Sequence, residues 1–165
     1  MRVYVLDVGQ GSCAVIALGG RRAIVVDAGR EYGVLKRLLH RLSVTSVPLL
    51  VVTHCDQDHW GGAPQLLADA TVTTERVCFH IDHKTLGTGL WAKLEELIQA
   101  DELDPETQLR HLACDDTPRR VWRAADGAAE LKVLAPTFGQ IVRAHLDRDA
   151  NAASGVLVLA AGEKR

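Results

Sequence analysis

The stretch LLVVTHCDQDHWGG, residues 49 to 62, joins an unbroken apolar run to a dense group of polar side chains. A continuous apolar run of this length predicts a strand that is buried on both faces. The polar residues follow at once, so we expect them to lie in a loop at the carboxyl end of that strand. A chain with this feature must cover the strand on both sides while leaving one end open.

The polar loop carries the residues His54, Asp56, Asp58 and His59 in the pattern H-x-D-x-D-H. Imidazole and carboxylate are ligands that suit zinc, manganese or iron. Without a cation, two acids and two histidines this close together would repel and be poorly hydrated. The alternative is a polar loop that caps the helix expected from Pro64, with Asp58 as the cap. Because a cap needs one residue and not four, we predict a metal site.

The other apolar patterns predict a mixture of hairpin strands followed by interleaved helices and strands. Gly61 and Gly62 should let the backbone turn sharply after the polar loop. Trp91 falls on the apolar face of a helix and is expected in the core, whereas His40 lies off its apolar stripe. We expect a helix layer over a sheet. Strands are predicted at 2–8, 13–19, 22–29, 47–54, 71–80, 119–125, 129–136 and from 154, with helices at 33–43, 64–70, 89–103 and after Pro136.

Composition narrows the possible classes of protein. The length of 165 residues suggests one domain or part of one. The net charge of −2 gives no overall basic field for nucleic acid, although Arg119, Arg120 and Arg123 form a local basic cluster. No apolar run is long enough to cross a bilayer, and the amino terminus lacks a signal-peptide core. The four cysteines are scattered without a C-x-x-C pair, so we expect reduced thiols and a cytoplasmic protein.

The loop VVTHCDQDHWGG resembles the signature loop of the metallo-β-lactamase superfamily of metal-dependent hydrolases. VLDVGQGSCAVI followed by IVVDAG resembles one branch, the metallohydrolase domain of bacterial competence proteins that take up DNA. LKVLAPTFGQ and DRDANAASGVLVLAAGEKR resemble the same branch. The resemblance implies an α+β fold, the metallo-β-lactamase-type αββα sandwich. On this basis residues 1–165 are the N-terminal part of a single domain, its first half plus the start of the second.

The resemblance also implies roles for individual residues in a site with two divalent metal ions, zinc or manganese. His54 would bind the first ion, and Asp58 with His59 the second. Asp56 stands where the superfamily often has a second histidine, and its oxygen ligand could favour manganese over zinc. Asp27 would orient the loop from behind, and Asp58 could also orient the nucleophile. The expected catalytic residues are therefore Asp27, Asp56 and Asp58.

Further positions match the branch less specifically. Asp7, Gln10 and Gly11 match its D-V-G-Q-G motif and are expected to shape the adjoining turn. Asn151 and Ser154 match an Asn-x-x-Ser pair, at a place where other branches carry another metal-binding histidine. Four other histidines are candidates for further metal ligands, although a histidine at such a position is more often a surface or strand-end residue. They are His80, His83, His111 and His145.

In the branch, the chain continues with an aspartate that bridges the metals and a later histidine. We therefore expect a second polypeptide or C-terminal fragment to complete the fold. Proteolytic processing after Lys164-Arg165 would be one origin of such a fragment, and the pieces could also belong to a larger assembly. The first expectation is a phosphodiesterase or nuclease acting on DNA, in a setting such as bacterial defence. The alternatives are a hydrolase of a small ester, lactone, thioester or cyclic nucleotide, and a non-catalytic regulatory or assembly module.

Overall fold

The computed structural model describes residues 1–81, 85–115 and 117–162. Its helices are α1 (Tyr32–Arg41), α2 (Gln57–Trp60), α3 (Ala63–Leu67), α4 (Gly89–Gln99), α5 (Pro105–Gln108) and α6 (Phe138–Asp147), with 3₁₀ turns at Thr85–Gly87 and Ala150–Ala153. Its strands are β1 (Arg2–Val5), β2 (Cys13–Gly19), β3 (Arg22–Ala28), β4 (Ser46–Val52), β5 (Thr73–Thr74), β6 (Val77–Phe79), β7 (Leu109–His111), β8 (Arg119–Arg123), β9 (Ala129–Ala135) and β10 (Val156–Ala161).

The larger sheet has the strand order β1-β2-β3-β4-β6-β7 within the described ranges, and the short β5 pairs with β4. β1, β2 and β3 form antiparallel pairs, whereas β3, β4, β6 and β7 run parallel to their neighbours. Parallel strands bring their carboxyl ends to one edge of a sheet. The loop after β4, which holds the H-x-D-x-D-H pattern, therefore opens at the same edge as the end of β3.

The two faces of this sheet enter two separate cores. Leu50 and Val52 pack on one side with helices α1, α3 and α4, whereas Leu49 and Val51 pack on the other. The second side meets a three-stranded antiparallel sheet of order β10-β9-β8, which contributes Leu131 and Val133. The layers are thus helix, sheet and sheet, and the apolar run of β4 is continuous because both of its faces are buried.

Most predicted elements are confirmed, with four corrections. The strand predicted at 71–80 is divided into β5 and β6, with Glu75 and Arg76 between them, although the Glu75 N–H still donates to the Val47 carbonyl and the Arg76 carbonyl accepts from the Leu50 N–H. The helix predicted at 89–103 ends at Gln99, followed closely by Asp101 at a positive φ of 60°. Trp91 is only partly buried, since its indole N–H donates to the Glu95 carboxylate. Helices α2 and α5 and strand β7 were not predicted, since runs of three or four residues show no periodicity.

The inner face of the larger sheet is left open at β1. Val3 pairs with Ile16, which belongs to the core between the sheets, so Val3 and Val5 point to that side. They are 55% and 84% exposed. Among the described residues, no helix has both the length and the apolarity that crossing a membrane requires.

Candidate active site

The candidate site is built where β3 and β4 end. β3 places Asp27 next to last in the strand, and β4 leads through Thr53 directly into His54. Asp27, Thr53 and His54 are all buried. Helix α2 then carries Asp58 and His59, so the pattern H-x-D-x-D-H folds as one short loop followed by one helical turn.

Asp27 holds this loop from behind through three hydrogen bonds. The Thr53 backbone N–H donates to Asp27 Oδ1, and the Thr53 hydroxyl donates to Oδ2, each at 2.8 Å. His59 Nδ1 lies 2.8 Å from Oδ2, which fits an imidazole that donates from Nδ1 and leaves Nε2 free to point elsewhere. The backbone of Asp27 adopts a left-handed φ of 55°, and the side chain is buried, with the residue 1% exposed. A non-glycine residue persists in this conformation only where its surroundings hold it.

His54 and His59 sit edge to face, with their ring centroids 3.7 Å apart. Burial lowers the pKa of His54, and the neighbouring His59 lowers it further. Burial acts most strongly on His59 and would lower its pKa, but the hydrogen bond to Asp27 and the charges of Asp27, Asp58 and Asp56 together outweigh it, so the pKa is raised. His54 Nε2 lies 3.4 Å from Asp56 Oδ2. The pair therefore favours a neutral His54 beside a His59 that Asp27 keeps oriented.

One cavity of about 560 Å³ collects the polar side chains of the site. It joins three separate motifs, since Gln10 comes from D-V-G-Q-G and Ser154 from the Asn-x-x-Ser pair. The backbone N–H of Gly155 donates to the Thr53 carbonyl at 2.7 Å, which fixes the Ser154 segment beside the loop. The lining residues are Gln10, Arg30, His54, Asp56, Gln57, Asp58, His59 and Ser154.

The D-V-G-Q-G turn is hydrogen-bonded to the backbone of the polar loop that carries His54, Asp56, Asp58 and His59. The N–H of Ser12 donates to the Asp58 carbonyl at 3.3 Å, and the Ser12 carbonyl accepts from the N–H of Gly29 at 2.9 Å. Gly11 has a φ of +114°, and a Cβ there would overlap the Asp58 carbonyl oxygen. The expected shaping of the turn is thus a close backbone approach that glycine permits.

Gly61 and Gly62 serve a different purpose from the sharp turn that was predicted. Their φ angles of −53° and −81° are open to any residue. A Cβ at Gly61 would instead overlap the carbonyl of Arg30, and one at Gly62 would lie 2.5 Å from the Ala28 carbonyl oxygen. The two glycines therefore let the end of the loop press against the chain that follows β3.

Helix capping does not account for the acids of the loop. Asp56 occupies the N-cap position of α2 but its side chain accepts no capping hydrogen bond. Gly62 is the N-cap of α3, so Asp58 does not cap that helix. Both carboxylates line the cavity instead.

The side chains of the polar loop have the donor atoms that a divalent cation prefers, but their positions match a coordination site only in part. His54 Nδ1 is buried and has no hydrogen-bond partner among the described residues, as expected for a nitrogen kept for a ligand. Imidazole and carboxylate donors face one cavity. Over residues 1–81, 85–115 and 117–162, however, no three His, Cys, Asp or Glu side chains converge closely enough to hold a metal ion. The described residues thus supply donor side chains at one cavity but do not form a complete metal-coordination site.

The remaining candidates lie elsewhere or outside the described part. His80 is buried at the end of β6 and stacks on His111, with ring centroids 5.6 Å apart. Neither is among the described residues that line the cavity, and the same holds for the exposed His145 in the last turn of α6. His83, Lys164 and Arg165 lie outside the described residues, as does the side chain of Asn151.

Three residues of the site were not predicted from the sequence, namely Thr53, Arg30 and Gln57. Thr53 was treated only as the end of the strand, although its hydroxyl and its N–H both donate to Asp27. Arg30 lines the cavity, and it follows the D-A-G motif by one residue. A charged residue directly after a motif at a strand's carboxyl end is the signal that could have identified it.

The sequence profile of the metallo-β-lactamase superfamily matches residues 6–130. The chain belongs to the metallo-β-lactamase superfamily, whose members are generally hydrolytic metalloenzymes that bind divalent metals. This confirms the predicted fold class and the superfamily part of the resemblance. A search of the curated proteins returned no match.

Solved structures resemble the chain at low identity. A structure described as a new diphosphatase from the PhnP family has a TM-score of 0.39 and 14% identity, over 74% of this chain and 43% of that one. The structure of TMB-1 has a TM-score of 0.37 and 14% identity, over 79% of this chain and 52% of that one. The chain spans about half the length of these two structures.

Proposed function

We propose that this chain carries the metal-binding half of a metal-dependent hydrolase that cleaves phosphodiesters, with DNA as the first candidate substrate. One observation carries the proposal: His54, Asp56, Asp58 and His59 line a single cavity while Asp27 fixes the loop beneath them. The resemblance to the competence-protein branch supplies the choice of DNA.

The cavity residues would hold two divalent cations, zinc or manganese. His54 and Asp56 would hold the first, and Asp58 and His59 the second. A bound cation of this kind supplies Lewis acidity and lowers the pKa of water. Asp58 would also orient the attacking water, and Asp27 would keep His59 turned so that Nε2 faces the cavity.

The polar lining of the cavity supports an anionic substrate over an apolar ester. Its described lining includes two amides, a hydroxyl and a guanidinium beside the carboxylates and imidazoles of the proposed ligands. We therefore place a small apolar ester, lactone or thioester second to a phosphodiester. A cyclic nucleotide shares the phosphodiester group and remains compatible with the same lining.

We further propose that a second polypeptide or a C-terminal segment completes the domain. Val3 and Val5 expose apolar surface on the inner face of the larger sheet, and β10 is an edge strand of the smaller one. A strand added beside β10 would extend the smaller sheet, and the added segment would cover those two valines. Such a segment would also supply the ligands that the described residues lack.

A non-catalytic assembly module is the second candidate function. The observation that favours it is the lack, among the described residues, of three donors that converge on one point. A module of this kind would keep the loop for its contacts and would not depend on metal.

DNA cleavage with added manganese or zinc separates these two functions. We expect cleavage by the full-length gene product that is abolished by His54→Ala and by Asp58→Ala. His40→Ala provides the matched control, since His40 is an exposed histidine of α1 and does not line the cavity. Cleavage that persists in both site variants would contradict the proposal, and so would inactivity of a metal-loaded complete assembly.

A further inference from the structure

We propose that Arg30 selects the substrate by its charge and binds a non-bridging oxygen pair of a phosphodiester anion. The inference deepens the proposed function and rests on it for the position of the substrate. Arg30 is the only arginine or lysine among the described residues that line the cavity. Guanidinium offers two parallel N–H donors that match the geometry of a phosphate.

The backbone of Arg30 packs against the end of the polar loop. The N–H of Gly62 donates to the carbonyl of Gly29 at 3.0 Å, directly before Arg30. Gly61 packs so closely on the Arg30 carbonyl that a Cβ would not fit. These contacts tie the start of the Arg30 side chain to the turn that follows His59, and Arg30 lines the same cavity as the proposed ligands.

The guanidinium is available for a ligand. Arg30 is exposed, and within the part of the chain that the structure describes its side chain forms no hydrogen bond or ion pair. It stays unpaired although Asp56 and Asp58 line the same cavity. An arginine that faces a cavity with two carboxylates and pairs with neither retains its full donor capacity for an anion.

Charge explains why this one cation matters. Two carboxylates in the lining, Asp56 and Asp58, would repel an anionic substrate. Arg30 neutralises part of that charge on the wall of the cavity. Gln10 and Ser154 add neutral hydrogen-bonding groups to the lining. A neutral substrate gains little from Arg30, whereas a phosphodiester gains a charge-assisted pair of hydrogen bonds.

Binding of two matched small molecules tests the inference without requiring turnover. Dimethyl phosphate is an anionic diester, and trimethyl phosphate is its neutral counterpart. We would titrate each molecule into the full chain and follow binding by NMR for the wild type, Arg30→Gln and Arg30→Lys. Each titration is run once without metal and once with zinc as the only added metal. Arg37→Gln is the matched control, because Arg37 is an exposed arginine of α1 that does not line the cavity.

We expect Arg30→Gln to weaken dimethyl phosphate binding about tenfold or more, the usual loss for a charge-assisted hydrogen bond. Arg30→Lys should retain part of the affinity, and Arg37→Gln should match the wild type. Equal dimethyl phosphate affinity in the wild type and Arg30→Gln would overturn the inference, as would equal losses for the two molecules. If the anion depends on Arg30 but the protein cleaves no phosphodiester, the inference stands and the proposed function fails.

Discussion

His59 Nδ1 lies 2.8 Å from the Oδ2 atom of Asp27, although the two residues are 32 positions apart in the chain. The contact joins the end of β3 to helix α2, and Thr53 completes it with two hydrogen bonds of its own. A residue that touches no substrate thus sets the orientation of one that is proposed to bind metal. The first prediction follows from this arrangement.

Replacing Asp27 by asparagine should weaken metal binding about 10–100-fold, because His59 loses the acceptor that orients it. Unfolding free energy should also fall by about 1–3 kcal/mol, since the buried donors of Thr53 lose a charged acceptor. Zinc titration by calorimetry and denaturant unfolding measure the two effects. Asp147→Asn is the control, as an exposed aspartate on α6. Unchanged zinc affinity in Asp27→Asn would show that Asp27 does not position the ligand.

Gly11→Ala should destabilise the protein by about 2–4 kcal/mol, because the new Cβ meets the Asp58 carbonyl and the backbone keeps a positive φ. Gly139→Ala is the matched control. Gly139 lies in α6 with nothing within 4 Å of a Cβ, so alanine should be neutral or stabilising by up to about 1 kcal/mol. Urea unfolding curves measure both variants. Equal stability of the two variants would refute the close approach of the two loops.

The folded protein should react slowly with a thiol reagent such as Ellman's reagent at pH 8. All four cysteines are buried and none forms a disulfide. Burial raises the pKa of Cys13 to about 12, with a further contribution from Asp27, and burial raises that of Cys78 to about 12. Because the thiolate is the reactive form, labelling should wait for unfolding and then reach four thiols. Rapid labelling of the native protein at Cys13 would contradict the burial.

Asp69 should make stability fall in acid. Hydrogen bonds from the hydroxyl and N–H of Thr71 hold the pKa of Asp69 below its usual range, with help from Lys36 and Tyr32. A depressed folded-state pKa contributes stability above the ordinary value near 3.8, and that contribution is lost as the pH falls toward the folded-state pKa.

Asp69→Asn should therefore cost about 1–2 kcal/mol at pH 6, and the gap to the wild type should narrow between pH 4 and pH 2. Unfolding free energies measured at each pH test this, with Asp147→Asn again as the control. A gap that stays constant down to pH 2 would exclude Asp69 as an acid-sensitive contact.

The sequence was sufficient for the elements that a long apolar pattern defines. The run before His54 identified β4, and the stripe through Leu35 and Leu39 identified α1. The pattern H-x-D-x-D-H also predicted a cluster of polar side chains, and all four of them line one cavity. Their role as metal ligands stays a prediction. These predictions depend on local spacing, which the sequence displays directly.

Contacts between distant segments could not be predicted in this way. The Asp27–Thr53 hydrogen bonds depend on the pairing of β3 with β4, and position 61 admits only glycine because the Arg30 carbonyl lies beside it. Such positions are set by the packing of the whole sheet. The same holds for β7, whose three residues form a strand only beside β6.

The most direct test of the central claim is elemental analysis of metal in the full-length protein purified without chelator, together with its native mass. We expect about two zinc or manganese ions for each complete domain and their loss in His54→Ala and Asp58→Ala. A native mass that includes a second polypeptide or a longer chain would agree with the proposed completion. A folded, complete assembly without metal would contradict the hydrolase and leave an assembly module built on the same fold.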